Sequence, residues 1–248
     1  MKYFLIALQF LTILPVKIKD ISEDRPTWSI VYFPIIGLLL GLILVGINNL
    51  LLFLNFEQFV TDVILVISII ILTGGLHLDG LADTADALLS RKDKEEMLKI
   101  MRDSHIGVMG VLSLICTILL KITFLFSIST PLKIITLLLM CTLSKWSLVL
   151  SIFLFPYARQ EGKAKIFMQG INLKIFSLAT IITIGLIILI WQLKGLLIFM
   201  ITAISACIIG RIINKKINGL TGDTLGAVNE FIEVIILFCI CVLGRSNL

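Results

Sequence analysis

Residues 30–54, IVYFPIIGLLLGLILVGINNLLLFL, run for 25 positions without one charged side chain. An α-helix needs about 20 apolar residues to cross a ~30 Å hydrocarbon layer, and a strand long enough to use this run would be far longer than strands usually are. The stretch therefore reads as a transmembrane helix. Similar runs follow at 59–75, 106–128, 132–155, 176–193, 195–210 and 227–244. Of the 248 residues, 58% are hydrophobic and 15% charged, and the mean hydropathy is +1.10. A water-soluble domain is roughly half apolar, so the bilayer is the solvent for most of this chain. The expected fold is all-α: a polytopic transmembrane helix bundle of about seven spans, forming one integral membrane domain over 1–248.

An eighth apolar segment, 3–16, follows Lys2 and superficially resembles a signal peptide. Pro15, Lys17 and Lys19 stand where a small-residue cleavage site would be, so it reads as a retained short or re-entrant helix. The tight connections at Ser129-Thr130-Pro131 and Lys194-Gly195 read as helical hairpins. Gly37 and Gly41, four apart, give the small-residue spacing that lets two membrane helices approach closely. The five cysteines all lie within apolar runs without a CxxC pair and read as packing residues.

Successive spans must alternate sides, which makes the count testable. One face then carries the loops near 17–29, 76–105, 156–175 and 211–226, with Lys17, Lys19, Arg25, Arg91, Lys92, Lys94, Lys99, Arg102, Arg159, Lys163, Lys165, Lys174, Arg211, Lys215 and Lys216. The other carries little beyond Lys133, Lys194 and Arg245. By the positive-inside rule the first face is cytoplasmic. The net charge of +5 and pI near 9.0 are explained by these loops, and no nucleic-acid partner is expected.

Chemistry concentrates on that face. In GGLHLDGLADTADA (74–87), Asp79, Asp83 and Asp86 are spaced i, i+4, i+7, on one helical stripe. Like charges so placed repel unless a cation joins them, and an all-oxygen donor set suits Mg²⁺, or Mn²⁺ in its stead, bridging carboxylates to substrate phosphates. The alternative is an ordinary polar helix start. Residues 91–101 read as an amphipathic surface helix, followed by Arg102-Asp103-Ser104-His105. There Asp103 can complete a metal shell and Arg102 can grip a phosphate bidentately. Arg159 adds a cation from 156–163. The knot Thr221-Gly222-Asp223-Thr224, then Asn229, Glu230 and Glu233, opens the last span, where backbone N–H groups favour anions. Glu230, Glu233 and Lys145 stand inside apolar runs, where charge is costly and usually functional; Lys121 carries the same argument more weakly, since it can snorkel. His77 and His105, the two histidines, both neighbour carboxylates, where a proton acceptor is useful.

GGLHLDGLADTADAL, MRDSHIGVMG, PYARQEG and NGLTGDTLGAVNE, in this order over nearly the whole chain, resemble the cobalamin synthase family. The resemblance implies a Mg²⁺-dependent membrane transferase joining adenosylcobinamide-GDP to α-ribazole or its 5′-phosphate, with adenosylcobalamin or its 5′-phosphate and GMP as products. It implies Asp83, Asp86 and His77 as catalytic residues, Asp79, Asp83, Asp86 and Asp103 as metal ligands, and Arg102, Lys145, Arg159, Asp223, Asn229 and Glu230 as substrate-binding residues. The expected location is the bacterial cytoplasmic (inner) membrane, with the active site facing the cytoplasm. Expected partners are the corrinoid nucleotide, α-ribazole and the lipid bilayer, with a homo-oligomer or other enzymes of cobalamin assembly also considered. Lys145 stands where the family more often has arginine, which keeps charge but loses the two-pronged fork. Two competing readings are a CDP-alcohol-type phosphotransferase, whose Asp-Gly-x-x-Ala-Arg signature is broken here by Asp83 and Thr84, and a transporter, whose charges would cluster at the membrane midplane.

Overall fold

The computed structural model describes residues 2–15, 26–162 and 164–245; Lys17, Lys19, Arg25 and Lys163 lie outside them. The described residues form α1 (Lys2–Leu11), a 3-10 segment (Pro26–Tyr32), α2 (Phe33–Phe53), α3 (Gln58–Leu72), α4 (Leu76–Leu89), α5 (Lys94–Ile100), α6 (Val108–Ser127), α7 (Thr130–Leu154), α8 (Lys165–Met168), α9 (Leu173–Ile217) and α10 (Gly222–Arg245). The architecture is the all-α membrane bundle expected from the apolar runs. In lipid only a helix satisfies its own backbone, which is why those runs fold this way.

Among the described residues, five helices are long and apolar enough to cross a bilayer, and up to six if the bent pair α3–α4 is one span, fewer than the expected seven. The difference lies in α9. Its 45 residues at ~1.5 Å each would reach about 67 Å, roughly twice the hydrocarbon thickness. It breaks at Trp191 and Gln192, the latter with φ 46°, and a Cβ on Gly195 would stand 3.0 Å from the carbonyl oxygen of Ile187. In a straight helix those residues are roughly 12 Å apart, so the chain folds back here, one hydrogen-bonded element where two spans were expected. Both ends of α9 meet the same face: Lys174 lies over Trp28 of the 3-10 segment, and Lys216 donates to the Leu88 carbonyl at the end of α4.

α7 is the central helix, buried along most of its length against α2, α9 and α10. Gly37 and Gly41 explain how α2 reaches it: a Cβ on Gly37 would stand 2.3 Å from the Cys141 carbonyl oxygen, and one on Gly41 3.0 Å from that of Leu137. Backbone contact this close gains dispersion where no hydrophobic effect exists between lipid and helix.

Lys133 corrects the loop census. It is no surface charge: its ammonium is fully buried on α7 and bonds the equally buried Asp62 of α3 at 2.6 Å.

One bend positions the site. Gly74 and Gly75 adopt φ of 63° and 69°, a left-handed conformation that side chains resist, and turn the chain by 87° between α3 and α4. α4 consequently lies across the starts of α6 and α10 rather than continuing through the bundle.

Candidate functional site

α4 crosses α10 at a glycine contact. A Cβ on Gly80 would stand 2.5 Å from the backbone oxygen of Asp223, and one on Gly226 would stand 3.0 Å from that of His77. The crossing therefore presses His77, Asp79 and Asp83 against the start of α10. That start is capped reciprocally: Thr221 N–H donates to Thr224 Oγ1 at 2.8 Å, and Thr224 N–H to Thr221 Oγ1 at 3.2 Å.

The segment after α7 is stitched to the same place. Ala158 N–H donates to the Leu220 carbonyl and Leu220 N–H to the Pro156 carbonyl, both at 2.8 Å. This bridge sets Arg159 opposite Asp223, with Nη2 2.7 Å from Oδ2. Arg159 also lies beside the Tyr157 hydroxyl.

Two cavities meet at Arg159. The first, about 280 Å³, has Phe10, Phe33, Phe167 and Tyr157 in its wall, aliphatic Leu148, Ile152 and Leu225, and a polar edge of His77, Asp79, Arg159 and Asp223. The second, about 480 Å³ and more open, is lined by Lys99, Arg102, Arg159, Gln160, Glu95 and Glu161 with Leu98 and Ala158. The first is mostly apolar; the second is lined mostly by charged and polar side chains.

The carboxylates at the crossing repel one another. Burial, then Asp79 and Asp223, push the Asp83 carboxyl up to about 7, against the opposing pull of Arg159. Among the described residues no three His, Cys, Asp or Glu side chains converge into a ready-made metal cage. The donor chemistry nonetheless fits Mg²⁺, which is commonly held by one or two carboxylates together with substrate phosphates rather than by an all-protein cage. Asp79 and Asp83 supply hard oxygens, with Asp223 beside them paired to Arg159.

The other two expected ligands also make hydrogen bonds of their own. Asp86 accepts from Gly107 N–H at 2.7 Å through Oδ2 and from Gly110 N–H at 2.8 Å through Oδ1, capping the start of α6. Each oxygen accepts one backbone N–H, so Asp86 joins the i, i+4, i+7 stripe to the start of α6, while Asp79 and Asp83 face the start of α10. Asp103 is exposed and bonds His105 Nδ1 at 2.6 Å; that bond holds its carboxyl below the usual range. Neither Asp103 nor His105 lines the first cavity.

His77 is buried, its Nε2 without a partner. Burial, then the charge of Lys145, hold its imidazole well below its ordinary range, so it is neutral at pH 7.

Lys145, Asn229 and Glu230 were expected to bind substrate, but they lie inside the bundle beneath the cavity. Lys121 Nζ contacts Glu230 Oε2 at 2.6 Å and Glu233 Oε2 at 2.5 Å, while Lys145 Nζ contacts Asn229 Oδ1 at 2.7 Å and Glu233 Oε1 at 3.2 Å. Two ammonium groups meet two carboxylates, so the charges cancel within the network, and Lys121 does not snorkel. It ties α6, α7 and α10 together below the crossing. Sequence reasoning named the residues because charge inside a span is costly, but could not see that they satisfy one another. It missed the aromatic wall altogether, since Phe10, Phe33 and Phe167 are scattered along the chain and share no local pattern.

Comparison with known proteins adds an independent line. The family described as cobalamin-5-phosphate synthase matches residues 3–241. A protein of Caldanaerobacter subterraneus subsp. tengcongensis named adenosylcobinamide-GDP ribazoletransferase is 40% identical over 238 residues, covering 95% of this chain and 96% of that one. Relatives with the same name from Desulforamulus reducens and Clostridioides difficile are 35% and 34% identical, covering 97% and 98% of this chain and 96% and 98% of their own. No solved structure matches.

Proposed function

The chain belongs to the cobalamin-5-phosphate synthase family, and from that membership we propose that it is a membrane transferase joining adenosylcobinamide-GDP to α-ribazole, or to its 5′-phosphate, with release of GMP. The observation that carries this reading is that two cavities share Arg159, beside the Asp79, Asp83 and Asp223 carboxylates that this one guanidinium faces. A pyrophosphate between two substrates needs such a junction: cations for its oxygens, carboxylates for a metal, and access from both sides.

In the reaction the acceptor hydroxyl oxygen bonds to the corrinoid-side phosphorus, and the bridging P–O bond breaks with its electron pair leaving on GMP. Catalysis of such transfers is largely positioning and charge neutralisation. Mg²⁺, held by Asp79 and Asp83 with Asp223 alongside, would supply neutralisation of the pyrophosphate charge. Arg159 and Arg102 bind the phosphate oxygens, Arg159 from the junction and Arg102 from the open cavity. His77 Nε2 accepts the proton of the attacking hydroxyl. Asp86 holds α6 in place, and the Lys121–Glu233–Lys145 network holds α10, so both act by keeping the crossing rigid. Asp103 and His105 sit on the surface outside the first cavity and have no assigned step.

The site faces the cytoplasm of a bacterial inner membrane, a placement supported by the basic loops gathered on its side. GMP release by detergent-purified protein given the corrinoid nucleotide, α-ribazole and Mg²⁺ tests the reaction. A transporter would release nothing without a compartment, and no release would overturn the assignment.

A further inference from the structure

The two cavities differ enough in size and lining to be assigned to different substrates, an inference that rests on the proposed transfer reaction. The geometry points to the 280 Å³ aromatic cavity as the acceptor subsite, taking the fused-ring base of the nucleoside against the packed ring cluster of Phe10, Phe33 and Phe167 and presenting its ribose at the His77–Asp79 edge. Volume decides first. This cavity is at the small end of the roughly 300–1,000 Å³ range of ligand pockets: room for a bicyclic base and a pentose, far too little for a corrin macrocycle.

Chemistry decides next. The Phe10 and Phe167 centroids stand 4.1 Å apart, and Phe10 and Phe33 stack at 5.9 Å, so three helical segments remote in sequence present ring faces and edges to one space. Aromatic walls suit a flat uncharged heterocycle, whereas the charge of a guanosine pyrophosphate belongs with Lys99, Arg102 and Arg159 in the other cavity. The charged edge of the aromatic cavity lies where the acceptor's hydroxyl would have to be, next to His77 and at the shared Arg159. Phe10 brings the N-terminal helix α1 into the site, giving that short element a role as one wall of the acceptor pocket.

The test is steady-state kinetics of the full-length protein in detergent, varying each substrate against a saturating level of the other. Phe167→Leu keeps an apolar side chain and removes the ring; Phe10→Leu does the same from a different helix, so a folding defect in one variant leaves the other informative. Loss of a base–ring contact should raise the KM for α-ribazole about tenfold. The KM for adenosylcobinamide-GDP should move less than about twofold. An unchanged α-ribazole KM in both variants, or a rise confined to the corrinoid substrate, overturns the subsite while leaving the reaction intact. A wild-type protein that releases no GMP overturns the reaction and the subsite with it.

Discussion

Glu233→Gln isolates what the buried charges beneath the site do. The Glu233 carboxylate meets Lys121 at 2.5 Å, Asn229 Nδ2 at 2.9 Å, and Lys145 and Ser144 at 3.2 Å each. With the wild-type side chains the network sums to zero, two positive and two negative. Glutamine keeps the shape and one acceptor but leaves one surplus ammonium, with Lys121 and Lys145 at 3% and 0% exposure and Glu230 the lone carboxylate. Removing one partner of a buried ion pair costs about 3–5 kcal/mol. Ser144→Ala, which removes a neutral hydroxyl from the same carboxylate and from Lys145 3.3 Å away, should cost nearer the ~0.6 kcal/mol average of hydrogen bonds between membrane helices. The two differ enough for SDS-unfolding titrations of the purified protein in mixed micelles to separate them. Adding Lys121→Met to Glu233→Gln restores neutrality, and the double variant should be more stable than Glu233→Gln alone. Equal stability of Glu233→Gln and Ser144→Ala, or a double variant weaker than the single, would refute the account of a charge-balanced structural network.

Asp83→Asn should lower turnover by at least about 100-fold at ordinary Mg²⁺, the scale of losing one preorganised electrostatic group, and a variant with full activity would sink the metal assignment. Because the Asp83 carboxyl is pushed up to about 7, it holds a proton below that pH and is free to bind a cation above it. Mn²⁺ affinity, read by electron paramagnetic resonance, should therefore rise from pH 6 to pH 8 in the wild type and change much less in Asp83→Asn. Asp86→Ala removes the cap of α6 and should cost about 0.5–2 kcal/mol in the same unfolding titration, while Mn²⁺ affinity stays as in the wild type. Gly37→Ala places a methyl group 2.3 Å from the Cys141 carbonyl oxygen and should destabilise the protein by about 1–3 kcal/mol as α2 is pushed off α7; no loss would mean that this contact is slack.

The spans were legible in the sequence because apolar length is a one-dimensional quantity, and so were the glycines that seat α2 on α7. The fold-back in α9 was legible as a turn at Lys194-Gly195, displaced by two or three residues from Trp191 and Gln192, where the backbone leaves helical geometry. The site divided differently. Asp79 and Asp83 stood out by spacing, but that spacing includes Asp86 equally, and only the position of α6 shows which carboxylate caps a helix. Arg159 and Asp223 were each visible as polar residues at a span end; their 2.7 Å pairing depends on the bridge between 156–158 and Leu220. Buried charges such as Lys145 and Glu230 announce that something must meet them, and sequence cannot say whether it is substrate or one another. Lys133 and Asp62 carry the same lesson, for two ionisable groups inside apolar spans call for partners.

The central claim is that the crossing of α4 and α10 is where phosphate is transferred. Locating Mn²⁺ by anomalous scattering in crystals grown with the corrinoid nucleotide tests it most directly. The ion should stand against Asp79 and Asp83, with the pyrophosphate between it and Arg159. An ion bound elsewhere, at Asp103 or within the Glu230–Glu233 network, would contradict the account.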